Sequence, residues 1–336
     1  MDLQRVKMKG SVNASRAAEP PSLLKGLLNF DRHEQHEWFL ENWTIAFYFV
    51  VAYVVFIYIG QEFMKNRKPM DLKKPIILWN TLLAIFSIAA CIQILPEFYQ
   101  ILQGENGFHK SVCASCQEVS DQGLYWGWLF TLSKIVELGD TVFLILRKRK
   151  LIFLHWYHHI TVLLYCWYVY PAQISTARWF ICVNFSIHAM MYTYYLIRSL
   201  SIRIPKKIAM TITSLQLSQM VIGVVVNVYA YVMKLGGVDC DVSFYHLNFG
   251  LIMYASYFFL FAHFFHTAYL QKEGADRLRL KRSNNNTTNS SKTSNEISTN
   301  NNNSTTMIVN LKQCSDVNAN FFSETHPTKR TVKVVY

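Results

Sequence analysis

The 336-residue sequence is short of charge: 16% of its residues are Asp, Glu, Lys or Arg, against roughly 25% in an average soluble domain. A soluble chain of this length needs more charge to cover its surface, so the shortage disfavours a soluble enzyme. Seven cysteines are too few for a disulfide-rich secreted module, and a hydrophobic content of 51% disfavours a chain that is disordered throughout. The first 40 residues lack a continuous apolar stretch, so no secretory signal is read there. The balance of 33 basic against 21 acidic residues gives +12. These basic residues sit in short clusters between long apolar runs and not across a soluble face. That arrangement speaks against nucleic acid as a partner and for a membrane protein.

A membrane-crossing helix needs about 20 mostly apolar residues. Seven runs qualify, over 42–60, 75–101, 123–146, 151–170, 178–197, 208–233 and 244–270. They predict an all-α integral membrane fold with seven transmembrane helices. Lys and Arg are retained on the cytosolic side. They cluster after the first run (Lys65, Arg67, Lys68, Lys73, Lys74), the third (Arg147, Lys148, Arg149, Lys150), the fifth (Arg198, Arg203, Lys206, Lys207) and the seventh (Lys272, Arg277, Arg279, Lys281, Arg282). The alternation predicts a lumenal N-terminal segment (1–41), a seven-helix domain (42–271) and a cytosolic tail (272–336). The basic residues of the N-terminal segment, Arg5 to Arg32, are the exception to it. From Ser283 onward the tail is rich in Asn, Ser and Thr and is read as mostly disordered. Its sequons would stay unmodified in the cytosol, whereas Asn13 would be available in the lumen.

Cys91, Cys166 and Cys182 fall inside apolar runs and read as small buried hydrophobes. Cys113, Cys116 and Cys240 fall in two loops on the non-cytosolic side. There one of the first two pairs with Cys240, with Cys113–Cys240 the candidate disulfide. A zinc or redox reading of Cys113-x-x-Cys116 is the alternative, and it wants a fourth ligand or a soluble βαβ context.

Ionisable groups inside a membrane run are costly and mark function by default. Lys134, Glu137 and Asp140 stand in the third run, and at 100° per residue Lys134, Glu137 and Thr141 share a face, with Asp140 close to it. They form either an internal ion-pair network or a substrate contact. His155, His158 and His159 open the fourth run at i, i+3 and i+4, so the three imidazoles share a face. His188 follows in the fifth run with Asn184 one turn before it and Tyr192 one turn after, and Tyr195 continues the stripe. Gln216 and Gln219 add an amide face in the sixth, and His263 and His266 stand near the cytosolic end of the seventh. A site at the cytosolic ends of these helices, with apolar length behind it, suits a substrate with a polar head and a long apolar tail.

Two chemistries compete for His-x-x-His-His. Di-iron ligation needs further histidine boxes, and outside this box the sequence has no His-x-x-x-His and only 11 histidines in all, so no metal is assigned. The other is an imidazole acting as nucleophile or base on a thioester, shielded from water inside a helical tunnel. A non-catalytic seven-helix receptor or transporter is a third reading, but it has no need of the histidine cluster.

These motifs resemble the ELO family of very-long-chain fatty-acid elongases. SKIVELGDT (133–141) is similar to the family's KxxExxDT, and FLHWYHHITVLLY (153–165) to its HxxHH box. NFSIHAMMYTYY (184–195) is similar to NxxxHxxMYxYY, and TSLQLSQ (213–219) to TxxQxxQ. The resemblance covers residues 29–271, and the box wording is closest to the branch elongating saturated and monounsaturated chains near C16. It implies seven helices, six of them enclosing a tunnel, in the endoplasmic reticulum membrane. It also implies condensation of acyl-CoA with malonyl-CoA to 3-oxoacyl-CoA, CO2 and CoA, with no cofactor beyond these substrates. His158 corresponds to the nucleophile that takes the acyl group, and His188 to the histidine assisting decarboxylation or holding the malonyl carboxylate. His155 and His159 complete the box, and Lys134, Glu137, Asp140, Asn184, Tyr192, Gln216 and Gln219 surround the substrates. From their charge, Arg147, Arg149, Arg277 and Arg279 are candidates for the CoA phosphates. The family suggests a homodimer working with the 3-oxoacyl-CoA reductase, 3-hydroxyacyl-CoA dehydratase and enoyl-CoA reductase of the elongation cycle. The sequence departs from many members in ending KVKVVY and not in a dilysine retrieval signal.

Overall fold

The computed structural model describes residues 30–271 (of Gln117, the backbone alone). The expectations for Asn13, Arg277, Arg279 and the Asn-rich tail lie outside the described residues. The described chain is helical, with α1 (Arg32–Asn42), α2 (Ile45–Met64), α3 (Lys73–Gln103), α4 (Gly107–Cys113), α5 (Asp121–Val136) and α6 (Gly139–Leu146). After these come α7 (Phe153–Val169), α8 (Ala177–Ser199), α9 (Lys206–Leu235) and α10 (Phe244–Phe265), which ends in a π turn over His266–Leu270.

Among the described residues, five helices are long and apolar enough to cross a membrane: α2, α3, α8, α9 and α10 with its π turn. Their outer faces carry Phe47, Tyr48, Val51, Leu78, Leu82, Ile85 and Ile92 in the open, a density of exposed apolar groups that water does not tolerate. This fits a multi-pass membrane protein. The expected third run is not one regular helix. At its centre Leu138 N–H reaches Ile135 O, Asp140 N–H reaches Glu137 O and Thr141 N–H reaches Leu138 O, so each bond spans three residues and the helix tightens there before resuming as α6. The expected fourth run is α7, whose 17 residues reach about 26 Å. Both lie within the bundle and neither qualifies by length and composition.

Local sequence explains the helix ends. The carboxylate of Asp31 caps α1 by accepting from the backbone of His33 and Glu34. These two bonds hold its carboxyl below the usual carboxylate range. Ser120 and Ser243 cap α5 and α10 in the same way. The expected boundary at residue 42 falls where α1 turns into α2. α1 itself is docked, with Phe39 packed on Trp167 and Tyr170 and His36 Nε2 2.8 Å from the carbonyl of Pro171.

The two ends of the bundle differ. At one, Lys148 Nζ donates to the carbonyls of Lys65 (2.9 Å) and Arg67 (3.1 Å), and Met70 N–H bonds Leu146 O, gathering the basic loops. At the other, Cys113 and Cys240 form a disulfide across 127 residues of sequence. Asp241 N–H bonds Cys113 O beside it, and Ser175 N–H bonds Asp241 O. The disulfide uses two of the three thiols that the zinc reading required. Cys116 Sγ rests 3.4 Å from Ile174 O. Burial pushes this thiol up to about 11, more than the nearby Arg178 lowers it, which disfavours the thiolate of a redox motif.

Candidate active site

Two cavities occupy the bundle interior. The first, toward the disulfide end, is lined by apolar side chains including Phe130, Val162, Tyr165, Cys166, Met253, Tyr254 and Tyr257. It reaches Cys116, Gln173, Ile174 and Arg178 at its far limit. The second, toward the basic end, is lined by Asn80, Glu137, Asp140, His155, His159, His188, Tyr192, Gln216 and their apolar neighbours. His158, Asn184, Gln219 and Met220 line both. α3 and all helices from α5 to α10 contribute lining residues, whereas no residue of α2 does.

The histidine box divides according to helix phase. His155 and His159 are buried, at 8% and 7% exposure, and their rings lie 4.5 Å apart. His155 Nε2 is 2.9 Å from Thr141 Oγ1, which is 2.7 Å from the Tyr53 hydroxyl. His158 is more open, stands against Tyr257 with ring centroids 5.1 Å apart, and faces both cavities. No described residue hydrogen-bonds either of its ring nitrogens. Of the three imidazoles it alone borders both cavities.

Behind it stands a charge network. Lys134 Nζ donates to Glu137 Oε1 (2.7 Å) and Asn184 Oδ1 (3.1 Å), and lies over the Phe130 ring at 4.2 Å. An ammonium has no acceptor, so it fixes the carbonyl side of the Asn184 amide toward itself. The amide NH2 then faces His188 Nε2 at 3.3 Å, which must accept. The proton of neutral His188 is thereby placed on Nδ1, 3.7 Å from Glu137 Oε1. Asp140 accepts from Trp79 Nε1 (2.7 Å) and the Tyr192 hydroxyl (2.9 Å). Gly139 permits this, because a Cβ there would come within 2.6 Å of the Trp79 ring.

The structure brings Glu137, Asp140, Asn184, His188, Tyr192, Gln216 and Gln219 together around His158, but it separates others from them. Lys134 is buried behind the cavities and lines neither, so its visible role is that of the ion-pair network. Thr141 lies on the side of Tyr53 and His155, because the tightened turn at Glu137 rotates it away from the expected shared face. Arg147 and Arg149 sit on the loop at the basic end and line neither cavity. His263 and His266 are exposed and line neither cavity. Tyr53, Trp79, Asn80 and Tyr257 were not singled out from sequence. Three are aromatic residues in aromatic-rich runs, where nothing marks one ring as functional, whereas Asn80 is a polar residue inside an apolar run and was open to detection.

A protein-family model, described as the GNS1/SUR4 (ELO) family, matches residues 38–277. The chain belongs to this family. It is 46% identical over 258 residues to very long chain fatty acid elongase 6 of Drosophila melanogaster, covering 76% of this chain and 81% of that protein. It is 42% identical to the protein of that name from Gallus gallus (72% and 91% covered). With very long chain fatty acid elongase 3 of Mus musculus it shares 39% over 268 residues (80% and 97% covered). The matched region contains the histidine box and the lining of both cavities apart from Phe30 and Arg32, and membership makes this chain an enzyme of fatty-acid elongation.

Proposed function

We propose that this ELO-family chain is a 3-oxoacyl-CoA synthase that condenses a long-chain acyl-CoA with malonyl-CoA through an acyl-imidazole on His158. The observation that carries the reading is that the apolar and polar cavities meet at that imidazole. The acyl tail fills the apolar cavity, which puts the thioester carbon at His158. The imidazole attacks it, CoA leaves as the thiol with the ring proton, and the acyl group stays on the ring nitrogen. Malonyl-CoA then enters the polar cavity. The bond from its carboxylate carbon to the methylene carbon breaks, CO2 leaves, and the electron pair passes to the methylene carbon, which attacks the acyl carbon. The imidazole departs and takes up one proton. His188, its Nδ1 proton held toward Glu137, stands beside this step, and Gln219 and Asn184 frame the junction.

On this reading the broken α5–α6 pair and the short α7 complete seven crossings in the endoplasmic reticulum membrane. The six crossings other than α2 enclose the tunnel, and the basic end faces the cytosol. Arg147 and Arg149 then stand outside the mouth, where Arg forks suit CoA phosphates. The preferred chain is near C16, and the partners are a second copy of the chain and the three later enzymes of the cycle. The purified full chain, given palmitoyl-CoA and labelled malonyl-CoA, is expected to form a labelled 3-oxo product two carbons longer. Absence of any extended product across C12–C22 acceptors contradicts the reading.

A further inference from the structure

The polar cavity must receive a malonyl group whose thioester oxygen gains charge as CO2 leaves, so it needs a hydrogen-bond donor that is not already engaged. Most donors there have partners. The Lys134 ammonium is divided between Glu137 and Asn184, and the Asn184 NH2 faces His188. Trp79 and Tyr192 donate to Asp140, and the Gln216 NH2 lies 3.2 Å from Met191 Sδ. Besides the His159 ring, which is packed against His155 and His158, two amides remain without a hydrogen-bond partner among the described residues, those of Asn80 and Gln219, at 5% and 8% exposure. Gln219 lies on the ring shared with the apolar cavity, whereas Asn80 lines the polar cavity alone. A polar group buried among apolar neighbours on α3 costs stability unless something pairs it.

We infer that the Asn80 amide donates to the thioester oxygen of the malonyl group and stabilises the enolate formed as CO2 departs. The assignment rests on the proposed condensation. As the carboxylate–methylene bond breaks, negative charge moves from the carboxylate to that oxygen. A neutral amide aimed there favours the transition state without clamping the starting carboxylate, as a cation would. Asn80 thus serves the second half of the reaction and not the first.

The two halves can be measured separately on the full-length purified chain. The first is CoA release and acyl-protein formation from palmitoyl-CoA alone. The second is CO2 release and condensation once malonyl-CoA is added. Asn80→Ala is expected to leave acylation within about twofold of wild type and to slow condensation about 100- to 1,000-fold, as loss of one oxyanion donor does. Asn80→Asp keeps the side-chain shape, is expected to show the same split, and carries the test should the alanine variant fail to fold. Condensation near the wild-type rate overturns the assignment, as does a parallel fall in both halves in a folded variant. Absence of acyl-protein in the wild type overturns the condensation reading itself, and the Asn80 assignment with it.

Discussion

The two cavities that meet at His158 are built by opposite means. The apolar one is a packing product, in which rings and aliphatic groups from α5, α7, α9 and α10 leave a bore whose shape depends on side-chain volume. The polar one is held by hydrogen bonds and one buried ion pair, and its shape depends on every partner being present. Volume changes are therefore graded in the first region, whereas the loss of a partner is abrupt in the second, because an orphaned buried charge costs far more than a missing methylene. The junction belongs to both, which is why a single imidazole can see an acyl tail on one side and a charged malonyl group on the other.

The sharpest break comes at that junction. His158→Ala is expected to abolish condensation while the protein elutes and unfolds like wild type, and retained turnover would remove the junction from the chemistry. The next largest effect tests the polar region. Glu137→Gln leaves the buried Lys134 ammonium with neutral carbonyl acceptors and no counter-charge, and a broken buried pair costs about 3–5 kcal/mol. The unfolding midpoint of the detergent-solubilised protein should fall accordingly, and an unchanged midpoint would show that the network carries no stability.

At the far end of the apolar region, Cys240→Ser opens a long covalent loop and is expected to cost about 2–5 kcal/mol. Because the disulfide is remote from His158, activity per folded molecule should be little altered, and a selective loss of turnover would contradict the separation of the two ends. The smallest effect is graded. A Cβ on Gly250 would lie 2.9 Å from both Asn227 Oδ1 and the Tyr165 hydroxyl, and Tyr165 lines the apolar cavity seven residues, or about 10 Å, beyond His158 along α7. Gly250→Ala should press that ring into the bore at a cost of about 1–3 kcal/mol. Long acceptors would then lose more activity than short ones, whereas a uniform loss would place Tyr165 outside the acyl path.

Much of the polar region was legible in the sequence, because charge and imidazole inside apolar runs are expensive and so stand out. His155, His158, His159, Glu137, Asp140, Asn184 and His188 all line the polar cavity. The spacing could not tell which imidazole of the box is open, since that depends on Tyr53 and Thr141 engaging His155 from other helices. Nor could an ideal 100° step anticipate the tightened turn that rotates Thr141 away from Glu137 and Asp140. The apolar region was hardly legible, because Tyr165, Tyr254 and Gly250 read as ordinary packing until their neighbours are known. Lys134 illustrates the limit in the other direction: it was conspicuous in sequence, yet it works from behind the cavities.

The claim that the two cavities share one reacting imidazole is tested most directly by trapping the acyl group. The wild-type chain is incubated with palmitoyl-CoA in the absence of malonyl-CoA, digested, and its peptides weighed. The account predicts a palmitoyl adduct on the peptide carrying His158, lost when malonyl-CoA is added and absent from His158→Ala. An adduct confined to a cysteine, or none at all during active turnover, would contradict it.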